Sequence, residues 1–72
     1  MTRHGPVLPI WLCETCDRPW PCAIRREELL DEYADSSVTL AVYLGTLVVS
    51  AERDMSWAPP DTLRLRFLGW LP

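Results

Sequence analysis

Three cysteines and one histidine have the strongest claim to chemistry in this chain. Cys13, Cys16 and Cys22 fall within ten residues, and His4 is the only histidine. In Cys13-x-x-Cys16 the two intervening residues make a tight turn that points both sulfurs into one concavity, which is how a pair of thiolates grips a metal ion. Cys22 follows after Asp17-Arg18-Pro19-Trp20-Pro21. It stands at the expected start of a helix, where the N-terminal end of the helix favours a thiolate. A closed zinc site takes four ligands, and the eight residues between His4 and Cys13 are enough chain for the imidazole to return as the fourth. The spacing predicts a zinc site of His4, Cys13, Cys16 and Cys22, with Asp17 or a water as the alternative to His4. An odd, clustered cysteine set without a signal-peptide pattern before it suits metal or redox chemistry in the cytoplasm better than a disulfide framework.

Other constellations carry less. Cys13 or Cys16 with His4 would make a nucleophile and base, but no third residue is placed to orient the imidazole. Glu27, Glu28, Asp31, Glu32 and Asp35 crowd one expected helix and read as its solvated face. No catalytic or organic-cofactor residues are assigned, and the expectation is a non-enzymatic protein. Ten acids against seven arginines give a net charge of −3, and the isoelectric point is near 4.9. That balance argues against binding nucleic acid by phosphate neutralisation.

The elements that must position these donors follow from composition and periodicity. Seventy-two residues make one small domain. At this size an apolar core alone leaves the fold marginal, so a staple such as a metal is expected. Residues 1–22 hold Pro6, Pro9, Pro19 and Pro21, Trp11, Trp20 and every cysteine without helical periodicity, and read as an irregular metal-binding knuckle. Trp20 is expected to shield the ligands and pack on the first helix.

The fold class is mainly α, with the knuckle followed by three helices. Over 23–35, Ala23, Arg26, Leu30 and Tyr33 recur at helical spacing, widened by Ile24, Leu29 and Ala34. Asp35, Ser36 and Ser37 then supply stop and cap chemistry. Over 37–54, β-branched residues favour a strand, yet Leu40, Tyr43, Leu44, Leu47 and Ala51 share one helical face while Thr39, Thr46, Ser50 and Arg53 share another. A period of two would not sort them so. The apolar run 38–51 has 14 residues, short of the roughly 20 that cross a bilayer, so no membrane association is expected. Pro59, Pro60 and Asp61 open a third helix over 60–70, with Leu63, Phe67 and Trp70 on one stripe and Leu65 and Leu68 on a second. Apolar residues beyond what the core needs, Val42 and Val49 among them, make a protein partner or a homo-oligomer the expected contact of the second and third helices.

Two resemblances accompany this reading. The pattern His4, Trp11, Cys13-x-x-Cys16, Trp20-Pro21-Cys22, Arg25-Arg26, Leu30, Tyr33, Leu40-Ala41-Val42-Tyr43-Leu44, Ala51-x-x-Asp54 and Arg66-Phe67-Leu68-Gly69-Trp70 resembles a family of small actinobacterial proteins often called flavin reductases. The resemblance implies a helical protein with His4 and the cysteines gathered at its N-terminal end. A flavin-linked oxidoreductase would need a phosphate loop and a volume that 72 residues lack unless they oligomerise. Cys13, Cys16 and Cys22 are also similar in spacing to three cluster ligands of the WhiB-like iron–sulfur regulators, which implies an iron–sulfur redox sensor as the alternative. The fourth cysteine and the basic tail of that family are missing. The expected function is a small zinc-binding interaction or regulatory accessory module.

Overall fold

The computed structural model describes residues 2–72. Its elements run β1 (Pro6–Val7), β2 (Leu12–Cys13), α1 (Ala23–Glu32), α2 (Ser37–Asp54) and α3 (Pro60–Leu68). The three helices and the N-terminal knuckle are present, but the knuckle is not wholly irregular. β1 and β2 pair antiparallel with Pro6 opposite Cys13 and Val7 opposite Leu12, and an isolated bridge joins Leu12 to Pro19. Two residues per strand carry no readable alternation, which is why periodicity missed them.

Side chains cap α1 and α2, and α3 starts on a proline. Ser36 Oγ accepts from the Thr39 amide at the start of α2, and Pro60 occupies the first turn of α3, with Asp61 beside it favouring the positive end of the dipole. The expected helices 23–35 and 60–70 are shorter here. At Tyr33 the backbone leaves helical geometry, its amide still bonded to Leu29 and Asp31 carbonyls, and 33–35 turn toward the Ser36 cap. At the end of α3, Gly69 lies so close to the preceding turn that a Cβ would stand 2.6 Å from the Leu65 carbonyl oxygen. Only glycine allows that approach.

Burial corrects the expected faces. In α1 Leu29 is the one fully buried residue, while Leu30, Ile24 and Ala23 are exposed. The inward stripe is therefore Cys22, Arg26, Leu29 and Tyr33. In α2 the buried set is Leu40, Leu44, Val48 and Ala51; Tyr43 has turned outward to stack on Tyr33, with ring centroids 6.1 Å apart. Thr39, Thr46, Ser50 and Arg53 are exposed as expected. In α3 Leu63 and Phe67 are buried, Leu68 and Trp70 half-buried, and Leu65 exposed.

Two clusters share the interior. Leu29, Leu40 and Leu44 gather Tyr33, Leu68, Trp70 and Leu71 between α1, the first half of α2 and the C-terminal turn. The other, of Trp11, Cys13, Trp20, Cys22, Val48, Ala51, Met55, Leu63 and Phe67, joins the knuckle to the second half of α2 and to α3. Trp20 thus packs on Phe67 of α3, at 5.8 Å between centroids, and on Trp11. This differs from the expected packing on α1: the ring lies against α3 and Trp11 instead. No helix of the described residues is long and apolar enough to cross a membrane.

Candidate metal centre

The knuckle is built to turn side chains inward from a backbone that has little regular structure. Cys13 ends β2, donates its amide to the Arg18 carbonyl at 2.7 Å and accepts from the Asp17 amide at 3.0 Å. That closes a loop around Cys16, whose own amide points at Cys13 Sγ from 3.4 Å. Asp17 takes a positive φ of 56° to complete the turn, which is uncommon for a residue with a Cβ. Trp11 does the same on the other side, with φ 57°. Its indole is buried against Phe67 and its Nε1 donates to Asp54 Oδ2 at 2.7 Å.

Cys22 is the N-cap residue of α1. Its sulfur accepts from the Arg25 amide at 3.5 Å, so one side chain closes the helix end and faces the other two cysteines. His4 arrives on the arm before β1. Its carbonyl accepts from Trp20 Nε1 at 2.8 Å and its amide donates to Thr2 Oγ1 at 3.0 Å. Thr15 Oγ1 donates to the Arg3 carbonyl, and the Glu14 amide to the Gly5 carbonyl at 2.9 Å, sewing the arm to the cysteine loop.

The outcome is a single group. His4 Nδ1 stands 3.3 Å from Cys13 Sγ, 3.3 Å from Cys16 Sγ and 3.4 Å from Cys22 Sγ. The four donor atoms all lie within 4.8 Å of one another, close enough to hold one metal ion. All four residues singled out in the sequence are brought together. Asp17, the alternative to His4, is not in the group.

Cys13 and Cys22 are buried and Cys16 half-buried, with no disulfide among them. Burial pushes the Cys13 thiol up, but the amides of Cys16 and Thr15, then His4 and Cys22, outweigh it and bring it down to about 7. Cys16 moves the other way. Burial, shared hydrogen bonds with Cys13 and Cys22, and repulsion from both push it up to about 11. Three thiols so close resist ionising together unless a cation joins them.

Two arginines hold this knuckle against the helices, a role that the sequence reading assigns to neither. Arg66 of α3 donates from Nε to the Trp20 carbonyl at 2.8 Å and from Nη2 to the Trp11 carbonyl. Burial first and Arg26 second lower its proton affinity. Arg26 of α1 donates from Nε to the Pro21 carbonyl at 3.0 Å and lies over the Trp70 ring. A signal existed. Neither arginine has an acid three or four residues away on its own helix, unlike Arg25, which pairs with Glu28 at 3.3 Å, or Arg64, which lies 3.7 Å from Asp61.

No family model, no curated protein and no solved structure matches this chain.

Proposed function

We propose that this protein is a small zinc-binding module, non-enzymatic, that uses its metal to hold the N-terminal knuckle on the helices and offers exposed apolar helix faces to a protein partner. The observation that carries the reading is the convergence of His4, Cys13, Cys16 and Cys22. Around a tetrahedral zinc with bonds of about 2.3 Å to sulfur and about 2.0–2.1 Å to nitrogen, sulfur–nitrogen separations come to about 3.5 Å. The imidazole nitrogen here stands 3.3 to 3.4 Å from all three sulfurs. Three thiolates and one imidazole suit zinc by ligand softness as well as by geometry.

Four protein donors complete a tetrahedral shell, the hallmark of a structural rather than a catalytic zinc site. Bound zinc supplies positive charge that keeps the thiolates ionised and cross-links the arm, the loop and α1. The chain's own groups do the rest. Trp11 and Trp20 pack in one cluster with Cys13 and Cys22, amides of Cys16 and Arg25 point at sulfur, and Arg66 and Arg26 donate hydrogen bonds to the Trp20 and Pro21 carbonyls.

The surface supports the second half of the reading. Val38 is 74% exposed and Val42 63% on α2, and Leu65 is 70% exposed on α3. Val38, Val42 and Val49 recur every fourth to seventh residue on one side of α2, the side opposite Leu40 and Leu44. Trp70 is half-buried against the Leu29 cluster and is not part of this face.

The test is elemental analysis and an ultraviolet–visible spectrum of protein purified anaerobically without added metal or chelator. About one zinc per chain and no visible band is the expected result. Iron with a visible band would replace the zinc module with an iron–sulfur redox sensor, and a metal-free, folded protein would overturn the metal reading altogether.

A further inference from the structure

We infer that Glu28 of α1, acting through Thr2, is the positioning residue that commits His4 to the metal; this rests on the metal-centre reading above. His4 is the ligand with the least local support. The cysteines sit in a loop closed by its own backbone bonds or on a helix cap, whereas His4 lies on an arm whose place must be set from outside.

The support is a short chain of contacts across the fold. Thr2 Oγ1 donates to Glu28 Oε1 at 2.5 Å, linking positions 26 residues apart, and accepts from the His4 amide at 3.0 Å. The hydroxyl thus uses its one proton on the carboxylate and its lone pair on the ligand's main chain. Glu28 is itself aimed by Arg25, whose Nη1 lies 3.3 Å from Oε1 and whose guanidinium also reaches Glu32 at 3.4 Å. The Arg25 amide meanwhile points at Cys22 Sγ. One helix therefore delivers a ligand from its N-cap and anchors the arm of another ligand from its second turn.

On its opposite side His4 is gripped by Trp20 Nε1, which belongs to the cysteine loop. Glu28 is the grip supplied by a helix. The Thr2 bond holds its carboxyl below the usual carboxylate range, against some burial, with Arg25 and His4 adding to the effect. Outer partners of metal-binding histidines hold the ring in place, and losing one typically costs 10–100-fold in metal affinity. Here the grip falls on the main chain of the histidine instead of on its second ring nitrogen.

The experiment is titration of the full chain with cobalt(II), followed by zinc competition, for the wild type and for Glu28→Ala, His4→Ala and the double variant. Wild type is expected to bind one ion, and Glu28→Ala about 10–100-fold more weakly, with its visible d–d bands shifted toward those of His4→Ala. In the double variant, removing Glu28 should cost nothing beyond His4→Ala. Thr2→Val, which leaves the Arg25–Glu28 pair in place, should weaken binding in the same direction, and Glu28→Gln, which still offers Thr2 an acceptor, should recover affinity relative to Glu28→Ala.

Wild-type affinity in both Glu28→Ala and Thr2→Val would overturn the assignment while leaving the metal site standing. An equal loss from Glu28→Ala with and without His4 would also overturn it, since Glu28 would then act on α1 or on the general field. A wild type that takes up no ion would remove the metal reading and this inference with it.

Discussion

The two ends of this molecule are held by different physics. Around Leu29, Leu40 and Leu44, two helices and the C-terminal turn bury apolar side chains against one another, and most backbone hydrogen bonding stays within the helices. Around Trp11, Trp20 and Phe67, a backbone with two-residue strands and two positive-φ residues is pinned by side chains. Indoles reach Asp54 and a carbonyl, guanidiniums reach three carbonyls, and four metal donors face one point. Regular helices satisfy their own polar groups and need only an apolar stripe. An irregular knuckle must find a partner for each carbonyl and amide it buries, and so depends on specific side chains and, on the proposed reading, on a metal cross-link. Damage should therefore be concentrated at the metal end and graded at the aliphatic one.

The largest expected effect is removal of the ion. Structural zinc contributes about 10–16 kcal/mol of apparent binding free energy in small peptides, comparable to the whole stability of a domain, about 5–15 kcal/mol. Chelation of the zinc-loaded protein should abolish the near-ultraviolet circular dichroism of Trp11 and Trp20. A signal that survives chelation would break the contrast between the two ends.

Phe67→Ala comes next. Phe67 is fully buried and meets both tryptophans edge-on, and its loss should cost about 3–5 kcal/mol in thermal unfolding. Because the cavity opens beneath the knuckle, metal affinity should fall as well. Leu44→Ala, at the other end, should cost about 2–5 kcal/mol with metal affinity unchanged. A drop in affinity there would show that the two ends are coupled. The smallest effect sharpens the picture of the helices: Ser36→Ala removes the α2 cap and should lower stability by about 1 kcal/mol, read by the melting temperature of the metal-loaded protein.

Much of the architecture was legible because it is local. Helical periodicity placed all three helices, with the start of each where the structure has it, since caps and prolines act within a turn of their own position. Helix ends were harder. Tyr33 and Trp70 continue an apolar pattern just past the last helical residue, because those side chains still face the core from a turn. The inward face of α1 differs by about one residue: it keeps Arg26 and Tyr33 from the expected stripe but takes Leu29, not Leu30, as its buried aliphatic side chain.

Sequence alone singled out the three sulfurs, since ligand type and the Cys-x-x-Cys spacing restrict them to one neighbourhood through a few bonds of chain; that His4 and not Asp17 joins them was decided by the fold. Sequence also determined the helices, each a property of a dozen or so neighbouring residues. Tertiary structure decided what links distant positions: Thr2 to Glu28, Trp11 to Asp54, Arg66 to Trp11 and Trp20, and Trp20 to Phe67. These contacts span 26 to 55 residues. No periodicity encodes them, because which side chain completes a buried carbonyl, or fills the space above an aromatic ring, is settled only when separate elements pack together.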